Sequence, residues 1–320
     1  MSIKQTVAYL SAGAVLFFVP LAVEGYYLYV LLLTLIFYMA GLGMNILYGW
    51  AGQISLGHAG FFAIGAYATA LLSNYDVPFI LSLVASGIVC ALIGILMALP
   101  ALRLSGFYLA IATLAFGVVI QKVIYIWDGL TGGGSGLDVV KASIGPFILR
   151  DEQTYYYPVI CITLLFTFIS RNLINGQIGR SFLAVREDEV AAQALGVNIV
   201  RAKIIAFGLS AFYTGIAGGL FAHLGFYINI QSFDLTMSLT FLVIVVVGGT
   251  GSIFGAFLGS AFWIYLPESF RFFKDFQAIV FGVSVWATIA FFPSGMAGMF
   301  FWVKKSLCKF LQTSGTGTER

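Results

Sequence analysis

A chain of 320 residues that is 60% hydrophobic and only 9% charged, with a mean hydropathy of +1.00, is not an ordinary water-soluble domain, where roughly a quarter of residues are charged. Its net charge of +3 points to no nucleic-acid partner, and the placement of its basic residues says more than their sum. Apolar runs of about 20 residues, enough to cross ~30 Å of hydrocarbon, recur along the chain. No alternation in short strands marks a β-barrel. The expectation is an all-α polytopic membrane bundle in contact with lipid, because in lipid each helix satisfies its own backbone groups.

In chain order, about ten spans can be drawn, at roughly 7–23, 28–48, 54–72, 79–99, 107–126, 155–170, 204–225, 236–248, 253–267 and 276–292. The first follows Lys4 and has the outline of a signal peptide, but Val23-Glu24-Gly25 is a poor cleavage signal, so an uncleaved helix is preferred. Between the second and third spans, Asn45, Gln53, Ser55 and His58 interrupt apolar sequence beside a glycine-rich turn. Polar groups there are costly unless paired or wet. Two readings stay open: they bond helix to helix, or they line a translocation route. His58 has no carboxylate companion within a span, which argues against a proton relay, and His223 reads as a structural histidine.

Cys90, Cys161 and Cys308 stand singly, giving neither a disulfide framework nor a metal site. The run Thr131-Gly132-Gly133-Gly134-Ser135-Gly136 lacks the lysine of a phosphate-binding loop and reads as a flexible loop. The later spans carry glycines four apart, Gly215 and Gly219, then Gly251, Gly255 and Gly259, which make smooth faces for close packing. Gly248-Gly249-Thr250-Gly251-Ser252 divides two short apolar halves, and such a turn can also border a route. Residues 1–300 are thus expected to form one transmembrane domain, followed by a tail over 301–320.

Orientation follows from lysine and arginine. With Lys4 inside, one face collects eleven of them: Lys4, Arg103, Arg171, Arg180, Arg186, Arg201, Lys203, Lys304, Lys305, Lys309 and Arg320. The other collects five: Lys122, Lys141, Arg150, Arg271 and Lys274. Both termini and residues 171–203 are therefore expected in the cytoplasm, with 127–154 outside.

Residues 171–203 form the only long charge-rich stretch, more than a short inter-helix loop requires. Ser181 to Arg186 suits a short helix, and Asp188 is a good N-cap for a second, with Glu189 in its first turn. Val190 to Leu195 is mostly helix-forming, and Gly196 is a natural stop in the left-handed conformation. The result is a compact knob on an apolar bundle.

Ala191-Ala192 followed by Gly196 resembles the loop by which permeases of ABC importers dock into their ATPase. The acid stands at Glu189, one place earlier than in the general pattern, where Val190 is found. The longer string GRSFLAVREDEVAAQALGVN is similar to that of branched-chain amino-acid permeases. So are residues 41–67 (GLGMNILYGWAGQISLGHAGFFAIGAY), Gly106–Ala110, Thr113–Gly117, Thr131–Leu137 and Val247–Gly259. The long outer loop and the Arg186-Glu187-Asp188-Glu189 string resemble the M-type of the family's two paired permeases.

The resemblance implies a permease subunit in the bacterial inner membrane that moves branched-chain amino acids (leucine, isoleucine or valine). Its partners would be a second homologous permease, two ATP-binding cassette subunits and an extracytoplasmic solute-binding protein. Arg186, Glu187, Asp188, Glu189, Ala191, Ala192 and Gly196 would meet the ATPase. Asn45, Gln53, Ser55, His58, Gly248 and Gly249 are the route candidates. No G-x-x-x-x-G-K-[ST] occurs, so ATP would be bound by the partners, and no cofactor or catalytic cluster is expected in this chain. The alternatives are a permease for urea or short amides and an ion-coupled secondary carrier. The carrier is disfavoured by the lack of charged pairs within spans.

Overall fold

The computed structural model describes residue 20 and residues 25–144, 147–149, 151–269, 277–291 and 295–298. The expected first span (7–23), the 301–320 tail with Cys308, and Lys4, Arg150, Arg271, Lys274, Lys304, Lys305, Lys309 and Arg320 lie outside the described residues.

Helix α1 (Tyr26–Met44) runs into a π-helical turn at Asn45–Trp50. There follow α2 (His58–Asn74), α3 (Phe79–Ala101), α4 (Gly106–Ile126), the single turn α5 (Asp128–Thr131) and α6 (Glu152–Asn175). The charge-rich stretch gives α7 (Gln177–Glu187) and α8 (Glu189–Ala194). The chain continues in α9 (Ile199–Gly225), α10 (Leu235–Gly248), α11 (Ile253–Ser269) and α12 (Gln277–Phe291). Five segments are long and apolar enough to cross a membrane: Tyr26–Trp50, Phe79–Ala101, Gly106–Ile126, Glu152–Asn175 and Ile199–Gly225. The sixth expected span, drawn over 155–170, proves longer, because its helix starts at the Asp151–Thr154 capping box and continues to Asn175.

α1 and α9 are the axis of the bundle. The most apolar stretches of these helices are 89% and 72% buried, against 22% for α4 and 28% for α6, which face outward. Close approach is possible because small residues meet backbone. A Cβ on Gly65 or Gly218 would run into the backbone carbonyls of Gly215 and Phe62, so α2 and α9 touch main chain to main chain. The glycine face expected around Gly251–Gly259 does the same work between α10 and α11, where Gly248 lies on Gly255 and Gly259. Aromatic rings fill the wider part of the core. Phe62 has Phe37, Phe221, Phe233 and Phe241 at centroid distances of 5.2–6.3 Å.

The loop between α4 and α6 departs from expectation. It carries short antiparallel ribbons, in which β1 (Leu137–Asp138) pairs with a later strand and β2 (Ser143–Ile144) pairs with β3 (Phe147–Ile148). The partner of β1 is β4 (Tyr227–Ile228), just after α9. The glycine run is tied down rather than loose. Tyr227 donates to the Ser135 carbonyl at 2.6 Å and Asn74 to the Asp138 carbonyl at 2.9 Å. Gly132, Gly133 and Gly136 take positive φ and let the chain turn tightly enough to make these bonds. His223 is structural as expected, held between Ser73 at 3.1 Å and the Val140 carbonyl at 3.0 Å.

Candidate functional site

The charge-rich stretch folds as a helix pair. Phe182 and Val185 of α7 are buried, and Gly179 lies on the backbone of Ile174, so α7 is anchored to the end of α6. Asp188 takes an extended conformation that ends α7 and caps α8, its Oδ1 accepting from Val190 N at 2.8 Å and Ala191 N at 2.9 Å. α8 closes in a Schellman motif. Val197 N–H bonds to the Ala192 carbonyl and Gly196 N–H to the Gln193 carbonyl, both at 3.0 Å, with Gly196 at φ 84°. Asn198 then caps α9 by accepting from Arg201 N at 2.9 Å. Each turn in this knob is fixed by a local bond.

Its side chains divide into two sets. Val190 and Leu195 point away from the bundle, 79% and 84% exposed, and Glu187, Asp188, Ala191 and Gly196 are also exposed. Ala192 is buried. Arg186 instead reaches back: its guanidinium donates to the Gly49 carbonyl and lies 3.4 Å from the Cβ position of Gly251. Gly52, at φ 69°, leaves room for the Arg186 side chain, which a Cβ there would meet at 2.9 Å. Glu189 makes an ion pair of 2.8 Å with Lys203, which is 3% exposed and also donates to the Ala101 carbonyl at 3.1 Å. Gln53 donates weakly to Glu189 at 3.5 Å, and its own buried carbonyl oxygen has no partner.

Arg186 and Glu189 therefore touch two turns that are clasped to each other. Asn45 donates to the Ser252 carbonyl at 2.9 Å and accepts from Gly251 N at 2.8 Å. Trp50 donates to the Gly251 carbonyl at 2.9 Å. The π turn carries both of these side chains to the 249–252 turn. Residues 49–53, 171–203 and 249–252 are thus in contact.

The remaining route candidates lie deeper in the bundle. Ser55 and His58 are fully buried. Ser210 Oγ donates to the Gly43 carbonyl at 2.7 Å, so His58 Nε2, 2.8 Å away, must be the donor to it. His58 Nδ1 then accepts from Ser55 at 3.1 Å. Both nitrogens of the ring are engaged. Around it the non-helical 51–57 stretch is satisfied from other helices: Leu56 N donates to Thr113 and Ala59 N to Ser238, both at 2.9 Å. Irregular backbone is tolerated at this depth because protein encloses it. Gly248 packs against Gly255, and Gly249, at φ 120°, lies beside Gly295.

Residues 26–292 match the family described as branched-chain amino acid transport system / permease component. The chain belongs to that family. It is similar to the high-affinity branched-chain amino acid transport system permease protein LivM of Salmonella typhimurium, 32% identical over 83% of this chain and 69% of that protein. The LivM of Escherichia coli gives the same identity and coverage. A probable LivM of Methanocaldococcus jannaschii is 23% identical over 89% of this chain and 91% of its own. No solved structure matches. The family is one of transport permeases of ABC importers, and the chain is an integral protein of the cytoplasmic membrane.

Several residues that build this permease's junction carry weak sequence signals. Lys203 reads as one more basic residue of a cytoplasmic stretch, yet it is buried inside the junction. Thr113, Ser210 and Ser238 stand alone in apolar helices, where hydroxyls commonly bond their own backbone. Only the packing of α2 against α4, α9 and α10 brings them to the 51–59 stretch.

Proposed function

We propose that this chain is the M-type permease of a branched-chain amino-acid importer, spanning the membrane about ten times with residues 171–203 in the cytoplasm. It pairs with a second homologous permease, receives substrate from an external binding protein and is driven by two ATP-binding cassette subunits. Its work is conformational and includes no covalent step. One observation carries the reading: each turn of the α7–α8 knob is closed by local bonds, yet Arg186 reaches the turns that end α1 and join α10 to α11, while Glu189 pairs with Lys203 of α9.

Ala191, Gly196 and the two exposed side chains of Val190 and Leu195 are assigned to the ATPase surface. Arg186 and Glu189 are assigned to the bundle side, where they carry knob movement into residues 49–53 and 249–252. Asn45, Ser55 and His58 are assigned to holding helices together, a role that their complete hydrogen bonding favours over lining the route. The test is reconstitution with the second permease, the ATPases and the binding protein. Leucine, isoleucine or valine uptake that requires ATP and the binding protein is expected. Uptake driven by an ion gradient without the ATPases would refute the reading.

A further inference from the structure

α10 is shorter than a ~30 Å hydrocarbon layer is thick. Its 14 residues cover about 21 Å, and its far end, Gly248, leads into the turn clasped to the knob face. The start of α10 therefore lies about 9 Å inside a ~30 Å hydrocarbon layer. The chain reaches that start by dipping inward from β4 through Ile230–Phe233, and Phe233 packs on Phe62 at 6.0 Å. The residue placed at this depth is Asp234.

Asp234 caps α10, accepting from Met237 N at 3.0 Å and Thr236 Oγ1 at 2.9 Å. Among the described residues no cation pairs with it, and it is exposed. An acidic side chain at such a depth is costly and points to function. It opens onto a cleft with Gln121 of α4 and with Ser238, backed by the aliphatic side chains of Leu56, Val118 and Leu235. Gln121 Nε2 donates to the Phe233 carbonyl at 2.5 Å. The nearby backbone donors Leu56 N and Ala59 N are already taken by Thr113 and Ser238. The cleft offers the Asp234 carboxylate and the Gln121 amide oxygen as acceptors beside the Ser238 hydroxyl, and this set suits a ligand with a positively charged donor and an aliphatic body.

We propose that Asp234 and Gln121 form this chain's half of a substrate station within the membrane, where they accept hydrogen bonds from the ammonium of a passing aliphatic amino acid. The cleft of one chain has a volume of about 10 Å³, room for roughly one water, so the other half comes from a chain packed on the exposed face of α4. The inference rests on the importer reading above. It extends that reading by naming the group that meets the substrate.

Asp234→Asn and Asp234→Ser keep an N-cap and remove the charge, while Asp234→Glu keeps the charge. Each is assembled with its partner subunits in vesicles, and leucine uptake is read together with ATP hydrolysis. Both neutral variants are expected to assemble normally and to lose at least about tenfold in leucine moved per ATP, with Asp234→Glu recovering most of it. Wild-type uptake by either neutral variant would overturn the site. So would an equal loss in Asp234→Glu, or failure of all three to assemble, since Asp234 would then serve packing alone. If the unmodified assembly moves no leucine in the same vesicles, the importer reading fails first, irrespective of the variants.

Discussion

Truncating the two ends of the Glu189–Lys203 pair is expected to give unequal losses. Breaking a fully buried pair from one side costs about 3–5 kcal/mol, but here the partners differ, with Lys203 3% and Glu189 37% exposed. Glu189→Ala leaves an ammonium sealed in the junction with the Ala101 carbonyl, 3.1 Å away, as its remaining bonded partner. The cost should be about 2–3 kcal/mol, below the full figure because that bond survives. Lys203→Met fills the same channel with an apolar chain and leaves a carboxylate that water already reaches, so the cost should be about 1 kcal/mol or less. The loss is local, so hydrogen exchange of the α8 amides and of the first turn of α9 is the assay. Exchange should rise about 30- to 150-fold in Glu189→Ala and no more than about fivefold in Lys203→Met. A larger effect in Lys203→Met, or no effect in either, would refute the view that a buried cation fastens the knob to the bundle.

Gly196 has open space around its Cβ position and φ 84°, so substitution there strains the backbone without a clash. Gly196→Asn should be nearly silent, while Gly196→Val should cost about 1–2 kcal/mol and lower uptake per ATP, both read in the reconstituted assembly. Asn45→Ala removes both bonds to the 251–252 turn and leaves half-buried groups unpaired, at about 1 kcal/mol each. Limited proteolysis should then cut the 249–252 turn faster than in the unmodified protein. Gly65→Val forces α2 off the backbone of Gly215 and should prevent a stable fold, read as loss of a monodisperse peak in detergent. Leu195→Cys and Val140→Cys, both at exposed positions, should label from opposite sides of the membrane, with Leu195→Cys reached from the cytoplasm.

Sequence alone determined the membrane class, the extent of most helices and the plan of the knob, because each depends on neighbours along the chain. Apolar run length located the helices from 28–48 onward. Asp188 and Gly196 marked the boundaries of α8 through the backbone conformations that their residue types favour. Ala191, Ala192 and Gly196, with the 41–67 string, carried the family. Only the tertiary structure decided the direction of the charges and hydroxyls. Glu187 and Glu189 are two residues apart, yet one is exposed and the other is bound to Lys203, because α8 starts between them at a new angle. Only the folded bundle brings Ser55 and Ser210, the latter 152 residues away, to the two ring nitrogens of His58. Asp234 was marked by no motif. Its significance comes from depth, which depends on where a short α10 ends against the Asn45 clasp, and local sequence does not encode distances between segments that meet only in the folded bundle.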